Sequence, residues 1–180
     1  MDTDSVLSRR PMRRFWGWGL ASDTLTAREQ ATVKAMLAHI EARFEDRPAP
    51  QVGEFDLPAP RIAPPPALAA QFSAAPLDRL NHCAGKSYAD CARMWLRAPP
   101  SPADLVAYPE NEQAIIDILD WAQSHDVAVI PYGGGSSVCG GVEAAVGHGY
   151  AAAVSLDLER LNRVLEVDQV SRAARIQAGA

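Results

Sequence analysis

The run Pro131-Tyr132-Gly133-Gly134-Gly135-Ser136-Ser137-Val138-Cys139-Gly140-Gly141 constrains this chain more than any other stretch. It follows the apolar segment Val127-Ala128-Val129-Ile130 directly, and five of its residues are Gly. A strand that ends in Pro and gives way to Gly and Ser presents a row of backbone N–H groups free of Cβ bulk. Such a row makes a concave anion site that a phosphate or diphosphate approaches closely. The hydroxyls of Ser136 and Ser137 add two further donors. A flexible glycine tip without a ligand is the plain alternative.

Two familiar phosphate loops do not match. A Walker loop needs Lys after its last Gly, but Gly141 stands there. A dinucleotide fingerprint counted from Gly133 and Gly135 needs a third Gly where Val138 stands, and then a helix. The following Val142–Gly149 segment reads as loop. Upstream, Gly85-Lys86-Ser87 lacks the earlier Gly of a phosphate loop, with Leu80 in its place. His82 beside Cys83 suggests a thiol–imidazole pair, but adjacent residues rarely face each other, and a turn histidine is expected.

A chain of 180 residues is long enough for one domain with extra elements. Its net charge of −5 argues against nucleic acid as a partner, which would require clustered Lys and Arg. No apolar run approaches the ~20 residues that cross a bilayer. Cys83, Cys91 and Cys139 have no CxxC spacing, which fits a reducing, cytoplasmic setting without a zinc site.

Taken in order, residues 1–47 read as an N-terminal arm and amphipathic helix. Arg9, Arg10, Arg13 and Arg14 precede Phe15-Trp16-Gly17-Trp18-Gly19. No apolar export region follows the paired arginines. The two Trp rings are expected to pack on the domain, with attachment to an anionic membrane surface as the alternative. Thr26 and Glu29 form a capping box for a helix reaching toward Arg47-Pro48. Its Val33, Met36, Leu37, Ile40 and Phe44 make an apolar stripe, expected to be a packing face. Residues 48–76, dense in Pro and Ala, read as a linker or surface-hugging arm and mark the boundary. Residues 77–101 contain a second capping box, Ser87 with Asp90, and a short helix with Tyr88, Cys91, Ala92, Trp95 and Leu96 on its apolar side. Residues 102–180 hold a strand over 104–108, a helix from Glu112 to His125 facing inward through Ile115, Ile118, Leu119 and Ala122, and a strand over 127–130. That is a βαβ unit with parallel pairing. A third strand over 152–156, a short helical turn over 158–162 and two strands over 163–167 and 172–177 follow. The chain stops at Ala178-Gly179-Ala180 without a capping helix, so the domain reads as incomplete.

The order of these pieces resembles the flavin-binding domain of the vanillyl-alcohol oxidase and p-cresol methylhydroxylase superfamily. Within it the likeness is to the alkyldihydroxyacetonephosphate synthases. Trp16-Gly17-Trp18-Gly19 looks like that family's N-terminal motif, and His82-Cys83-Ala84-Gly85-Lys86-Ser87-Tyr88-Ala89-Asp90 resembles its next signature. Pro131–Val138 with Gly140-Gly141-Val142 looks like its diphosphate loop. Leu156-Asp157-Leu158 and Val164-Leu165-Glu166-Val167-Asp168 continue in the family's order.

The resemblance implies an α/β fold, with a helical arm followed by the first, βαβ-containing half of a p-cresol methylhydroxylase-type FAD-binding domain. It implies FAD as cofactor, with its diphosphate against Pro131, Tyr132, Gly133, Gly134, Gly135, Ser136 and Ser137. For a complete enzyme it implies acyl-dihydroxyacetone phosphate and a fatty alcohol as substrates, exchanged without net redox. The family's catalytic residues lie in later segments, so none is assigned here. A homodimer and peripheral membrane contact stay open. The alternatives are FAD-linked oxidation of 2-hydroxy acids and a non-catalytic nucleotide-binding piece.

Overall fold

The computed structural model of the chain describes residues 11–40 and 47–180. Arg9, Arg10 and Phe44 lie outside the described residues.

Three strands with consecutive buried side chains build the centre: β2 (Leu105–Ala107), β3 (Val127–Tyr132) and β4 (Ala152–Asp157). Burial of both faces is the signature of a parallel sheet covered on each side. They are parallel, and a two-residue strand β1 (Phe72–Ser73) adds an antiparallel edge, giving the order β1-β2-β4-β3. The βαβ unit is therefore present, but its two strands are not neighbours: β4 is inserted between them. β3 runs two residues further than its apolar segment, through Pro131 and Tyr132, because both pair with β4 at Leu156 and Asp157.

Of the helices, α1 is Ala27–Leu37, α2 Pro76–Asn81, α3 Tyr88–Trp95 and α4 Glu112–Ser124. The side chain of Asn111 accepts from the Ala114 N–H and starts α4, and His125 ends it. Its Ile118 and Ala122 pack on Leu105, Val127, Ala152, Val154 and Leu156, which alternate along the strands as period two requires. Ala114 completes the buried face, whereas Leu119, expected inside, is exposed. Ala153, Ala128 and Ile130 face the other side, where Ala103 and Ala144 cover them.

A second core gathers the chain's first half. Phe15, Phe55, Leu77, Leu80, Cys83 and Met94 meet there, with the Phe15 and Phe55 rings edge-on at 5.5 Å. The 48–76 segment is thus docked rather than free. Buried Arg79 ties it down by donating to the carbonyls of Pro58 and Ala103, both at 2.8 Å. Arg61 adds a fork to the carboxylate of Asp104 at 3.0 and 2.7 Å.

The two capping boxes form as the spacing predicts, at Thr26 with Glu29 and at Ser87 with Asp90. The faces of the two helices differ from expectation. No residue of α1 is buried, and Met36 is 68% exposed, because nothing in the described chain lies over its stripe. In α3 the inward residues are Asp90 and Met94, while Tyr88 and Leu96 face solvent. Residues 158–162 form turns rather than a helix. Finally β5 (Val164–Asp168) and β6 (Ala173–Ile176) make a separate antiparallel ribbon with a bulge at its start. No described helix is long and apolar enough to cross a membrane.

Candidate diphosphate site at the carboxyl end of the sheet

The parallel strands all deliver their carboxyl ends to one place. β2 runs into Tyr108, β3 ends at Tyr132, and β4 ends at Asp157, which is in register with Tyr132. Ligands of open α/β sheets sit beyond such ends. Here the glycine run leaves β3 and crosses that edge.

The backbone N–H groups of Gly134, Gly135, Ser136 and Ser137 donate to no acceptor among the described residues. Gly134 and Ser136 are exposed, so this succession of N–H groups is open to an outside acceptor. A Cβ on Gly134 would meet nothing closer than 4.0 Å, leaving open space over that part of the loop. Gly135 differs: its φ of +68° lies in the left-handed region, and a Cβ there would strike the Tyr132 ring. The bend of the loop therefore depends on Gly135, and access to its backbone depends on Gly134. The Ser137 hydroxyl accepts from the Gly141 N–H at 3.2 Å, bracing the loop's far side.

Beneath the loop lies a buried polar network. The Tyr132 hydroxyl donates to the Asn81 carbonyl at 2.9 Å, and its ring lies 4.1 Å from the His82 ring. His82 lies in the turn that ends α2, as expected, but it is buried there and fixed at both nitrogens. Nδ1 donates to the Asp78 carbonyl at 2.6 Å, since a carbonyl can only accept. Nε2 lies at hydrogen-bonding distance from Asp157 Oδ2, 2.9 Å. The Asp78 carboxylate in turn accepts from Tyr108 and Ser73. Three strand ends and α2 are thereby locked together under the glycine run.

Cys83 takes no part in this chemistry. Burial pushes its thiol up to about 12, and its Sγ donates to the Leu80 carbonyl. A thiol so held stays protonated and unreactive, which removes the thiol–imidazole reading.

Positive charge reaches the loop from two distant segments. Arg13 Nη1 donates to the Gly134 carbonyl at 2.7 Å. The Lys86 N–H donates to the Ser137 carbonyl at 2.7 Å, an approach possible only because Gly85 has no Cβ to strike that carbonyl. The Lys86 ammonium donates to the carbonyls of Arg14 and Phe15 at 3.1 and 3.3 Å. Trp18 closes the circle through Nε1 to the Lys86 carbonyl at 3.1 Å, its ring 58% exposed, while Trp16 packs on Trp95 at 5.0 Å.

Sequence reasoning placed the loop but missed the residues that frame it. In the sequence Gly85 and Lys86 read as an incomplete phosphate loop and as part of the second upstream motif, and Arg13 as part of a basic arm. The one available signal was that they belong to the two upstream motifs of the resemblance. Of the seven loop residues, Tyr132 is buried beneath the loop and Pro131 is exposed within β3, so only the backbone from Gly133 onward lines the open side.

Residues 103–180 match the family model of the FAD binding domain. An alkyldihydroxyacetonephosphate synthase of Trypanosoma brucei brucei is 37% identical over 101 residues, 56% of this chain and 16% of the relative. A D-2-hydroxyglutarate dehydrogenase of Xanthomonas citri pv. viticola is 36% identical over 90 residues, 50% of this chain and 17% of the relative. A solved alkyldihydroxyacetonephosphate synthase superposes with a TM-score of 0.75 at 24% identity, over 92% of this chain and 36% of that one, which establishes the shared fold. The fold and the matched segment define an FAD-binding module of the p-cresol methylhydroxylase type. More particularly, the chain is an alkyldihydroxyacetonephosphate synthase-like flavoprotein module, and the matched segment covers 16% of the length of the curated synthases.

Proposed function

We propose that the chain supplies the diphosphate-binding part of a flavoenzyme that exchanges an acyl group for a fatty alcohol on a dihydroxyacetone phosphate ester. Pro131–Ser137 is the segment that holds the FAD diphosphate, chiefly through the N–H groups of Gly134 to Ser137. The observation that carries this reading is that row of four unpaired donors, set at the carboxyl ends of parallel strands. The site fits the group: it offers donors, open space over Gly134 and nearby cations. When bound, FAD supplies the electron-accepting ring on which such an exchange would run. This chain's own residues bind and orient it. His82, Tyr132 and Asp157 keep the loop in place from below.

A second reading, FAD-linked oxidation of 2-hydroxy acids, is favoured by the likeness to D-2-hydroxyglutarate dehydrogenase. The two part in one experiment. The purified full-length protein should carry FAD and convert acyl-dihydroxyacetone phosphate and fatty alcohol into the ether product. Oxidation of 2-hydroxy acids without exchange would select the second reading, and a colourless protein that takes up no FAD would exclude both.

A further inference from the structure

Lys86 is a half-buried cation without a carboxylate in ion-pairing distance among the described residues. Its ammonium has three donors, two of which go to the carbonyls of Arg14 and Phe15. Among the described residues no carboxylate lies within ion-pairing distance of it. The carboxylates at this end of the sheet are engaged elsewhere: Asp157 with His82, Asp78 with Tyr108 and Ser73, and Asp90 with Arg93 and Ser87. A cation partly withdrawn from water with no carboxylate beside it is disfavoured, and that burial pushes the Lys86 ammonium below the usual lysine range. Such an arrangement persists where a ligand brings the opposite charge. Lys86 lines a cavity together with Arg13, Trp18, Gly134 and Ser136, so the two cations share one concave space with the unpaired N–H groups. The neighbouring cavity, lined by His82, Tyr132 and Asp157, also includes Arg13, Lys86 and Gly134.

We propose that Lys86 and Arg13 form the cationic wall of the diphosphate site, holding the charge of a dinucleotide diphosphate against the Gly134–Ser137 backbone. The inference rests on the flavin reading above and adds to it the groups that neutralise the ligand. The alternative is that Lys86 only clamps the N-terminal turn. A clamp would contribute to stability without caring about the charge of a ligand.

The test uses the full-length protein and its Lys86→Met variant, which keeps the aliphatic stem. FAD affinity is titrated at low and high salt, and thermal unfolding is followed with and without inorganic pyrophosphate. The variant should bind FAD roughly ten- to hundredfold more weakly, the loss expected for one charge-assisted hydrogen bond. Its affinity should also respond less to salt, and pyrophosphate should raise the melting temperature of the parent only. Equal FAD affinity, an unchanged salt response, or equal protection by pyrophosphate would overturn the proposal. If the parent binds no FAD yet pyrophosphate protects it through Lys86, the flavin reading falls and the cationic wall stands. If neither ligand acts on the parent, both fall. Should Lys86→Met fail to fold, Arg13→Gln on the exposed arm carries the same comparison.

Discussion

Adjacent glycines in the loop have opposite duties, and substitution separates them. Gly134→Val in the full-length protein should leave the apo fold intact, since space is open around its Cβ, while filling the space over the backbone and abolishing FAD retention. Flavin content after purification, read beside the melting temperature, checks this. Gly135→Ala should instead destabilise the apo protein, by about 1–2 kcal/mol for the left-handed backbone and more for the collision with Tyr132. A second single-residue effect concerns Asp104. Burial raises its pKa, but Arg61 and the N–H groups of Arg61 and Ala153 outweigh burial and hold the carboxyl below its ordinary range. A depressed folded value contributes stability that is present above the unfolded pKa and lost as pH falls through the folded one. The melting temperature should therefore drop as pH falls below about 4. Asp104→Ala should cost roughly 2–4 kcal/mol at neutral pH, leaving the buried Ala153 N–H unpaired, and should flatten that acid limb.

Helices with similar apolar spacing behave differently according to what lies against them. α4 drives Ile118 completely into the sheet, and Ile118→Ala should cost about 2–5 kcal/mol. Met36 of α1 touches no core, so Met36→Ala should change stability by less than about 0.5 kcal/mol. Denaturant midpoints for the pair decide the matter. A large loss at Met36 would mean that its stripe is covered in solution. The helix still forms because its capping box satisfies the first-turn donors locally, with Glu29 reaching back to the Thr26 N–H at 2.8 Å.

At the scale of the molecule, the His82–Asp157 and Tyr132–Asn81 contacts tie the end of α2 to the carboxyl end of one small parallel sheet, where the glycine run leaves β3. The β5–β6 ribbon stands apart from that sheet with Val164, Leu165, Val167 and Ile176 exposed. A two-stranded ribbon is marginal in water, and β3 leaves a second open edge. The 180-residue chain expressed by itself should consequently self-associate. Val167→Lys should shift it toward monomer in light scattering. An oligomer of the same mass in both proteins would place the contact elsewhere.

Local chemistry was legible in the sequence. Both capping boxes, the apolar strands before and after α4, and the glycine run behind β3 follow from patterns that span a few residues, where backbone geometry and side-chain spacing suffice. The insertion of β4 between β2 and β3 was not legible, because strand order rests on which buried faces fit best. Nor was the choice of Met94 over Tyr88 as the inward residue of α3, since a short helix offers more than one apolar side and the neighbouring core selects. The site's frame belongs to the same class. His82 meets Asp157 across 75 residues and Arg13 meets Gly134 across 121. The sequence by itself determined that a glycine-rich run stands directly behind β3. Only the tertiary structure decided which cations and which buried network surround it, because contacts between distant segments are fixed by packing and charge burial, to which no short pattern responds.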